Sequence, residues 1–130
     1  MCMVDTLRYT EWLDNAKRDI NAAKILLEHE CGNDLVAFHC QQAVEKTMKA
    51  YLIMKGKGIL NTHSLIYLCK MCQEYESNFK GYLKDCALLN QYYIETRYPA
   101  DDPIHIEDYE INECLKIASE IYETINGLIK

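Results

Sequence analysis

The sequence predicts an all-α protein, and two features of its composition support that prediction. Only two prolines and five glycines interrupt 130 residues, so the turns that separate β-strands are scarce. Leu, Ile, Lys, Glu and Ala dominate, and apolar residues recur at spacings of three and four, as on one face of a helix. A chain of this length can bury roughly two thirds of its unfolded surface. We therefore expect one helical domain spanning residues 1–130.

The first two predicted helices carry the clearest apolar stripes. The first runs from Thr6 to Glu30 and is closed by Gly32, which can take a positive φ. Its stripe consists of Trp12, Ala16, Ile20, Ala23 and Leu27. The second runs from Asp34 to about Lys55 after a cap at Asn33 or Asp34, and we expect it to be the central helix. Its stripe consists of Val36, Cys40, Ala43, Thr47, Ala50, Tyr51 and Met54.

Three further helices complete the predicted order. The segment Asn61-Thr62-His63-Ser64 supplies N-cap oxygens for a third helix that fades near Glu76. After a polar stretch at 77–81, a fourth helix must end before Pro99, because the proline ring clashes with continued helical geometry. This places Arg97 in the last turn, where the helix dipole favours a cation by about 0.3–1 kcal/mol. An irregular loop follows, and a last helix extends from near Glu107 to Leu128.

Charge and hydropathy exclude several classes of function. A net charge of −6 and a pI near 5.2 oppose tight, sequence-blind binding to nucleic acid, which depends on many basic side chains. Any RNA contact must therefore be local. The sequence has no run of about 18 apolar residues and begins without the basic-then-apolar order of a signal peptide. We expect a cytoplasmic protein that does not enter a membrane.

The cysteines and histidines do not form a recognisable metal-binding pattern. The seven cysteines are expected to be free thiols that pack as small hydrophobic residues. Cys69 and Cys72 form a single Cys-x-x-Cys without the second pair of a zinc site, and the paired Glu-x-x-His of a di-iron bundle is missing. His39 is predicted to be partly buried and hydrogen-bonded. We expect neither a metal nor a cofactor.

Closely spaced lysines form a candidate phosphate site. They are Lys46, Lys49, Lys55 and Lys57. A solvated lysine face is the favoured interpretation. The alternative is that Lys46 and Lys49 line a cleft with Arg97 and receive a nucleotide phosphate, for which the planar arginine side chain can donate two parallel hydrogen bonds.

Imidazole and aromatic side chains near these segments are further candidate ligand contacts. His63 opens the third helix, where backbone N–H groups can hold an anion; an ordinary helix cap is the alternative. Tyr92, Tyr93 and Tyr98 could each stack on a base with about 1–3 kcal/mol, or simply pack beside a helix end. The sequence leaves these alternatives open.

Four ordered segments give the sequence a family resemblance. They are Trp12 with Asp19, then Gln41-Gln42-Ala43-Val44-Glu45-Lys46 with Lys49-Ala50, then His63-Ser64-Leu65, and finally Arg97-Tyr98-Pro99. In this order and spacing the sequence resembles the HEPN domain family over nearly its full length. The resemblance implies a compact antiparallel bundle of four to five helices that forms a homodimer, commonly with a minimal nucleotidyltransferase as partner.

The resemblance also implies two functions that differ in chemistry. Many HEPN proteins resemble ribonucleases or the toxins of toxin–antitoxin pairs, in which an arginine is followed after four to six residues by a histidine in the dimer cleft. Arg97 matches that arginine, but the first allowed histidine position holds Asp102, and His105 follows after seven intervening residues. The spacing favours a module that binds a nucleotide or RNA, or docks a nucleotidyltransferase, over a catalyst.

Two alternatives accompany this prediction. The first is a metal-independent endoribonuclease in which Arg97 stabilises the phosphorane and His105 transfers protons, a task suited to histidine because its ordinary pKa is about 6.5. The second is a non-catalytic helical adaptor with an acidic interaction surface. For the binding module, the predicted ligand or phosphate contacts are Lys46, Lys49, His63, Tyr93, Arg97 and Tyr98.

Overall fold

The computed structural model describes residues 8–58, 60–93 and 105–129, which form a helical bundle. Within these ranges there are five α-helices and no strand, as the sequence predicts. In chain order the helices are α1 (Tyr9–Glu28), α2 (Asn33–Met54), α3 (Leu65–Gln73), α4 (Leu83–Asn90) and α5 (Asp108–Ile129). A 3₁₀ segment at Ser77–Tyr82 precedes α4. The predicted all-α class is confirmed.

The second helix is the centre of the bundle, as predicted. It packs against α1, α3, α4 and α5, and its residues are buried over most of its length. The main core joins apolar residues from every helix, while a smaller cluster links α1 to the later turns of α2. That smaller cluster consists of Trp12, Leu13, Ala50 and Ile53.

The residue that closes α1 is not the one that the sequence predicts. Glu30, not Gly32, takes the left-handed conformation at φ 53°. The amide of Cys31 donates to the carbonyl of Leu26, and that of Glu30 donates to Leu27, which is the Schellman pattern. Gly32 instead precedes α2 with φ 123°.

The start of α2 is tied to the start of α5. The predicted cap by Asn33 or Asp34 is wrong, because no side chain caps this helix. The Asn33 amide donates instead to the carbonyl of Ile106 at 2.8 Å and to Asp108 Oδ1 at 3.0 Å. The side chain thus joins two helices that are far apart in sequence.

The start of α3 is held from two directions. Ser64 is its N-cap, as the sequence allows, and its hydroxyl accepts from the Tyr67 amide at 3.2 Å. Asn90, at the end of α4, accepts from the Leu65 amide at 2.7 Å. The N-terminus of α3 and the C-terminus of α4 therefore meet at one corner of the bundle.

The fourth helix ends earlier than the sequence predicts, and this end lies within the described residues. It ends at Asn90 and is followed by a turn, whereas the sequence predicted continuation towards Arg97. The predictions for Arg97, Tyr98, Pro99 and Asp102 fall outside the described residues and stay predictions. The polar stretch predicted at 77–81 forms a 3₁₀ helix.

The cysteines of the described ranges are free thiols, as predicted, and only Cys31 among them is exposed. Burial, with a smaller contribution from Cys114 and Asp19, raises the pKa of Cys40 to about 12. Burial likewise raises the pKa of Cys114 to about 11. Cys69 and Cys72 are fully buried in the core. No described helix combines the length and apolar character needed to cross a bilayer.

Candidate functional site

A buried carboxylate on α2 is the centre of the most polar part of the structure. Glu45 is 3% exposed in the interior. Its Oε2 atom lies 3.0 Å from Lys49 Nζ, one helical turn later, and 3.0 Å from His63 Nδ1. Its Oε1 atom accepts from Gln41 at 3.2 Å. Lys49 and Gln41 donate to Glu45, and His63 Nδ1 can donate to it as well, so the buried carboxyl oxygens have protein partners.

The two glutamines of the Gln-Gln motif support this carboxylate. Gln41 is fully buried, and its amide donates to Glu45 and, more weakly at 3.4 Å, to the carbonyl of His63. Gln42 donates to the side-chain oxygen of Gln41 at 2.8 Å. The chain of amides gives each buried polar group a partner, which is what a buried network requires.

The hydrogen-bond network around Glu45 ends at the pocket in a pair of stacked rings. The ring of His63 stacks on that of Tyr93, with centroids 4.3 Å apart and planes inclined by 17°. Together with Ser64 and Asn90 the pair lines an open pocket of about 270 Å³. The side chain of His63 is about half exposed there. The pocket is thus lined by an imidazole ring, a tyrosine ring, a hydroxyl and an amide.

A second carboxylate, on α1, repeats the arrangement. Asp19 Oδ2 lies 2.7 Å from Lys46 Nζ, and Asp19 Oδ1 lies 2.9 Å from His39 Nδ1. His39 is partly buried and hydrogen-bonded, which confirms its prediction. Each of the two carboxylates therefore holds one lysine and one histidine, and α2 supplies both lysines.

The predicted solvated lysine face is wrong for Lys46 and Lys49. The side chain of Lys49 is 4% exposed and that of Lys46 is 19% exposed, and both are ion-paired inside the bundle. Lys49 Nζ also lies 5.5 Å from the ring centre of Trp12. The prediction is right for Lys55 and Lys57, which are exposed at the end of α2. The predicted role of Lys46 and Lys49 as phosphate ligands is not tested by these contacts.

Of the predicted catalytic pair, Arg97 and His105, the structure describes only His105. His105 is 83% exposed, and its Nε2 lies 2.8 Å from Glu107 Oε1. Arg97 and Tyr98 lie outside the described residues, so their approach to His105 stays a prediction. Among the described residues no cluster of three metal-ligating side chains occurs.

Sequence reasoning missed two members of the site. Glu45 stands in the sequence only within the family segment, and Asn90 belongs to none of the predicted sites. Glu45 and Lys49 stand four apart on α2, a spacing at which opposite charges pair. That spacing was a usable signal, but nothing in the sequence linked the pair to His63.

The fold and the polar network define a helical-bundle protein with a charged interior beneath an open cleft. A family model described as the HEPN domain matches residues 9–128. The chain therefore belongs to the HEPN domain family, and the resemblance inferred from its four ordered segments is confirmed.

Similar proteins agree with this assignment. The chain is 29% identical to a protein of Methanocaldococcus jannaschii named "Putative toxin MJ1304", with 92% of this chain and 86% of that protein covered. It is 25% identical to TT1696 from Thermus thermophilus, whose crystal structure superposes with a TM-score of 0.75 over 94% of this chain and 98% of the other. The crystal structure of ST0689, described as an archaeal HEPN homologue, shares the fold with a TM-score of 0.70 at 24% identity, over 95% and 98% of the two chains.

Proposed function

We propose that this HEPN domain protein is a homodimeric module that binds a nucleotide or an RNA end in the pocket beside His63 and Tyr93. The observation that carries the proposal is the stacked pair at the mouth of a buried ion network. A base can add to a stack of aromatic rings with little sequence preference. Imidazole can accept from a sugar hydroxyl when neutral and donate to a phosphate when charged.

The charge around the pocket favours a small or local ligand. Lys46 and Lys49 already neutralise Asp19 and Glu45, so they leave little positive charge for a long polyanion. Arg97 follows Tyr93 by four residues, and four extended residues span at most about 14 Å. Arg97 is therefore the proposed phosphate contact, with Tyr98 as a second stacking residue.

Binding of a labelled RNA tetranucleotide, followed by fluorescence anisotropy at two salt concentrations, tests this proposal. Tyr93→Leu removes the aromatic ring from the pocket, and Tyr67→Leu removes an exposed ring of α3 outside it. Loss of one stacking contact worth about 1–3 kcal/mol corresponds to roughly 5- to 150-fold weaker binding. We expect that loss for Tyr93→Leu alone. Equal loss in both variants, or no binding by the unmodified protein, contradicts the proposal.

A toxin–antitoxin role is the proposed biological setting. It is supported by the similarity to a protein whose name describes a toxin. We propose a homodimer as the working unit and a minimal nucleotidyltransferase as its partner. Light scattering after size-exclusion chromatography measures whether the protein is a dimer. Co-purification after co-expression with a nucleotidyltransferase from the same genome tests the partner. A monomer at micromolar concentration, or separate elution of the two proteins, contradicts the corresponding part.

Ribonuclease activity is a second candidate because toxins of this kind act on RNA in the family that the chain resembles. Arg97 and His105 are its proposed catalytic residues. This candidate predicts that RNA incubated with the protein in the presence of a chelator is cleaved and that His105→Ala abolishes the cleavage. Intact RNA across pH 6 to 8 excludes it.

A further inference from the structure

The contact between Glu45 and His63 bears on which nitrogen of the imidazole carries hydrogen. Both Glu45 oxygens lie near His63 Nδ1, at 3.0 and 3.2 Å. Glu45 also accepts from Lys49 and Gln41, as an ionised carboxylate does. An ionised carboxylate only accepts hydrogen bonds, so a hydrogen bond from His63 to such a carboxylate has Nδ1 as its donor.

The opposite nitrogen is left for a ligand. Nε2 stands across the ring from Nδ1, and no hydrogen bond joins it to any described residue. The side chain of His63 is about half exposed and lines the pocket with Ser64, Asn90 and Tyr93. The stacked Tyr93 ring covers one face of the imidazole. The ring is thus held at one nitrogen and along one face.

We propose that Glu45 is a positioning residue that holds His63 as the Nδ1–H tautomer and presents Nε2 to the bound nucleotide as a hydrogen-bond acceptor. A hydrogen bond to the second ring nitrogen is the usual means by which proteins select a histidine tautomer. The matching donor on a nucleotide is a ribose hydroxyl or an amino group of a base. The claim that Nε2 contacts a bound nucleotide, which is the ligand half of the inference, rests on the proposed function. The claim that Glu45 holds the Nδ1–H tautomer, which is the tautomer half, does not.

The structure contains a matched control for this test. Asp19 Oδ1 likewise contacts the Nδ1 atom of a histidine, His39, and Asp19 Oδ2 contacts Lys46. His39 does not line the pocket. Asp19→Ala should therefore change the tautomer preference of His39 and leave that of His63 as it is.

Long-range ¹H–¹⁵N correlation spectra of the ¹⁵N-histidine-labelled protein, recorded above neutral pH, report the tautomer of each ring. His63→Gln and His39→Gln assign the signals. In the unmodified protein, His63 is expected as the Nδ1–H tautomer. The Nε2–H tautomer at His63 would overturn the proposal before any other variant is made.

Removal of the carboxylate then tests Glu45 itself. Glu45→Leu removes every acceptor from this position but leaves Lys49 buried without its partner, so the double variant Glu45→Leu with Lys49→Met removes both charges together and guards against unfolding. Both variants are expected to lose the preference for Nδ1–H at His63. An unchanged tautomer in a folded double variant overturns the positioning role.

The RNA tetranucleotide separates this inference from the proposed function. Its addition is expected to shift the Nε2 resonance of His63, and Glu45→Leu is expected to weaken its binding by roughly three- to tenfold, the value of one hydrogen bond. If the tautomer depends on Glu45 but the RNA does not bind, the proposed function fails and the positioning role stands. If the RNA binds without any effect at Nε2, the ligand half of the inference fails.

Discussion

Lys46 Nζ lies 2.7 Å from Asp19 Oδ2 and joins α2 to α1. Their side chains are only 19% and 12% exposed, and Asp19 also contacts His39. Charged groups removed from water in this way are stable only as long as each has its partner. The contact is therefore a constraint on how the first two helices pack.

Asp19→Ala should destabilise the protein strongly because it leaves Lys46 without its carboxylate inside the bundle. We expect a loss of about 3 kcal/mol in the free energy of unfolding, measured by urea titration. Adding Lys46→Met should recover much of that loss. The control is Glu74→Gln, which removes an exposed partner of Lys57 and should change stability by less than about 1 kcal/mol. Similar losses in both carboxylate variants would show that burial of Asp19 is unimportant.

Gly32→Ala should also be destabilising, for a reason of backbone geometry. Gly32 has φ 123°, which side chains with a Cβ rarely adopt, and a Cβ there would lie 2.8 Å from Asp34 Oδ1. We expect a cost of about 1–3 kcal/mol by thermal or urea unfolding. Gly127→Ala is the opposite control, since Gly127 lies within α5 with open space around its Cβ position, and alanine should stabilise that helix by up to about 1 kcal/mol. A neutral Gly32→Ala would contradict the described turn.

Asn90→Ala should loosen the corner between α4 and α3. The Asn90 side chain accepts from the Leu65 amide at 2.7 Å, and alanine leaves that amide without its acceptor at a cost of about 1–3 kcal/mol. Hydrogen exchange at the first turn of α3 should accelerate. Asn112→Ala is the control, because Asn112 is exposed and donates only to the carbonyl of Asp108 in its own helix. Unchanged exchange at Leu65 would argue against the contact.

Cysteine labelling should separate exposed from buried thiols. The thiolate is the reactive species, and burial raises the pKa of Cys40 to about 12 and of Cys114 to about 11. At pH 8 these groups are therefore protonated as well as inaccessible. In a Cys2→Ser background, DTNB is expected to modify Cys31 rapidly and the other cysteines only after denaturation. Rapid reaction of Cys40 or Cys114 in the folded protein would show that the core opens readily.

Raising the pH should eventually destabilise the core through these same thiols. Their pKa is higher in the folded state than in the unfolded state, so the unfolded state loses its protons first. Stability is expected to be unaffected by these groups below their ordinary pKa near 9 and to fall as pH rises towards 11 and 12. Urea unfolding at pH 8 and pH 10.5 measures the difference. Replacing Cys40 by alanine should reduce that pH dependence.

The helices could be predicted from the sequence because their causes are local. The predicted bounds of α2 and α5 agree with the structure to about one residue, since apolar periodicity and flanking turns act over a few residues. The shorter α4 was not foreseen, because Asn90 ends the helix with its side chain engaged by α3. The closing role given to Gly32 was wrong for a similar reason, since Glu30 accepts the left-handed conformation once the turn is hydrogen-bonded.

The sequence by itself determined the fold class, the order of the helices and the family, because periodicity and four ordered segments are properties of the chain. Only the tertiary structure decided what the polar residues of α2 do. Lys46 pairs with a residue 27 positions earlier, and Glu45 with a histidine 18 positions later. Such pairs form only where particular helix faces meet in the folded chain. Because α2 packs against four other helices, its sequence shows no single polar face, and its charged residues could not be assigned to solvent or to the interior from the sequence.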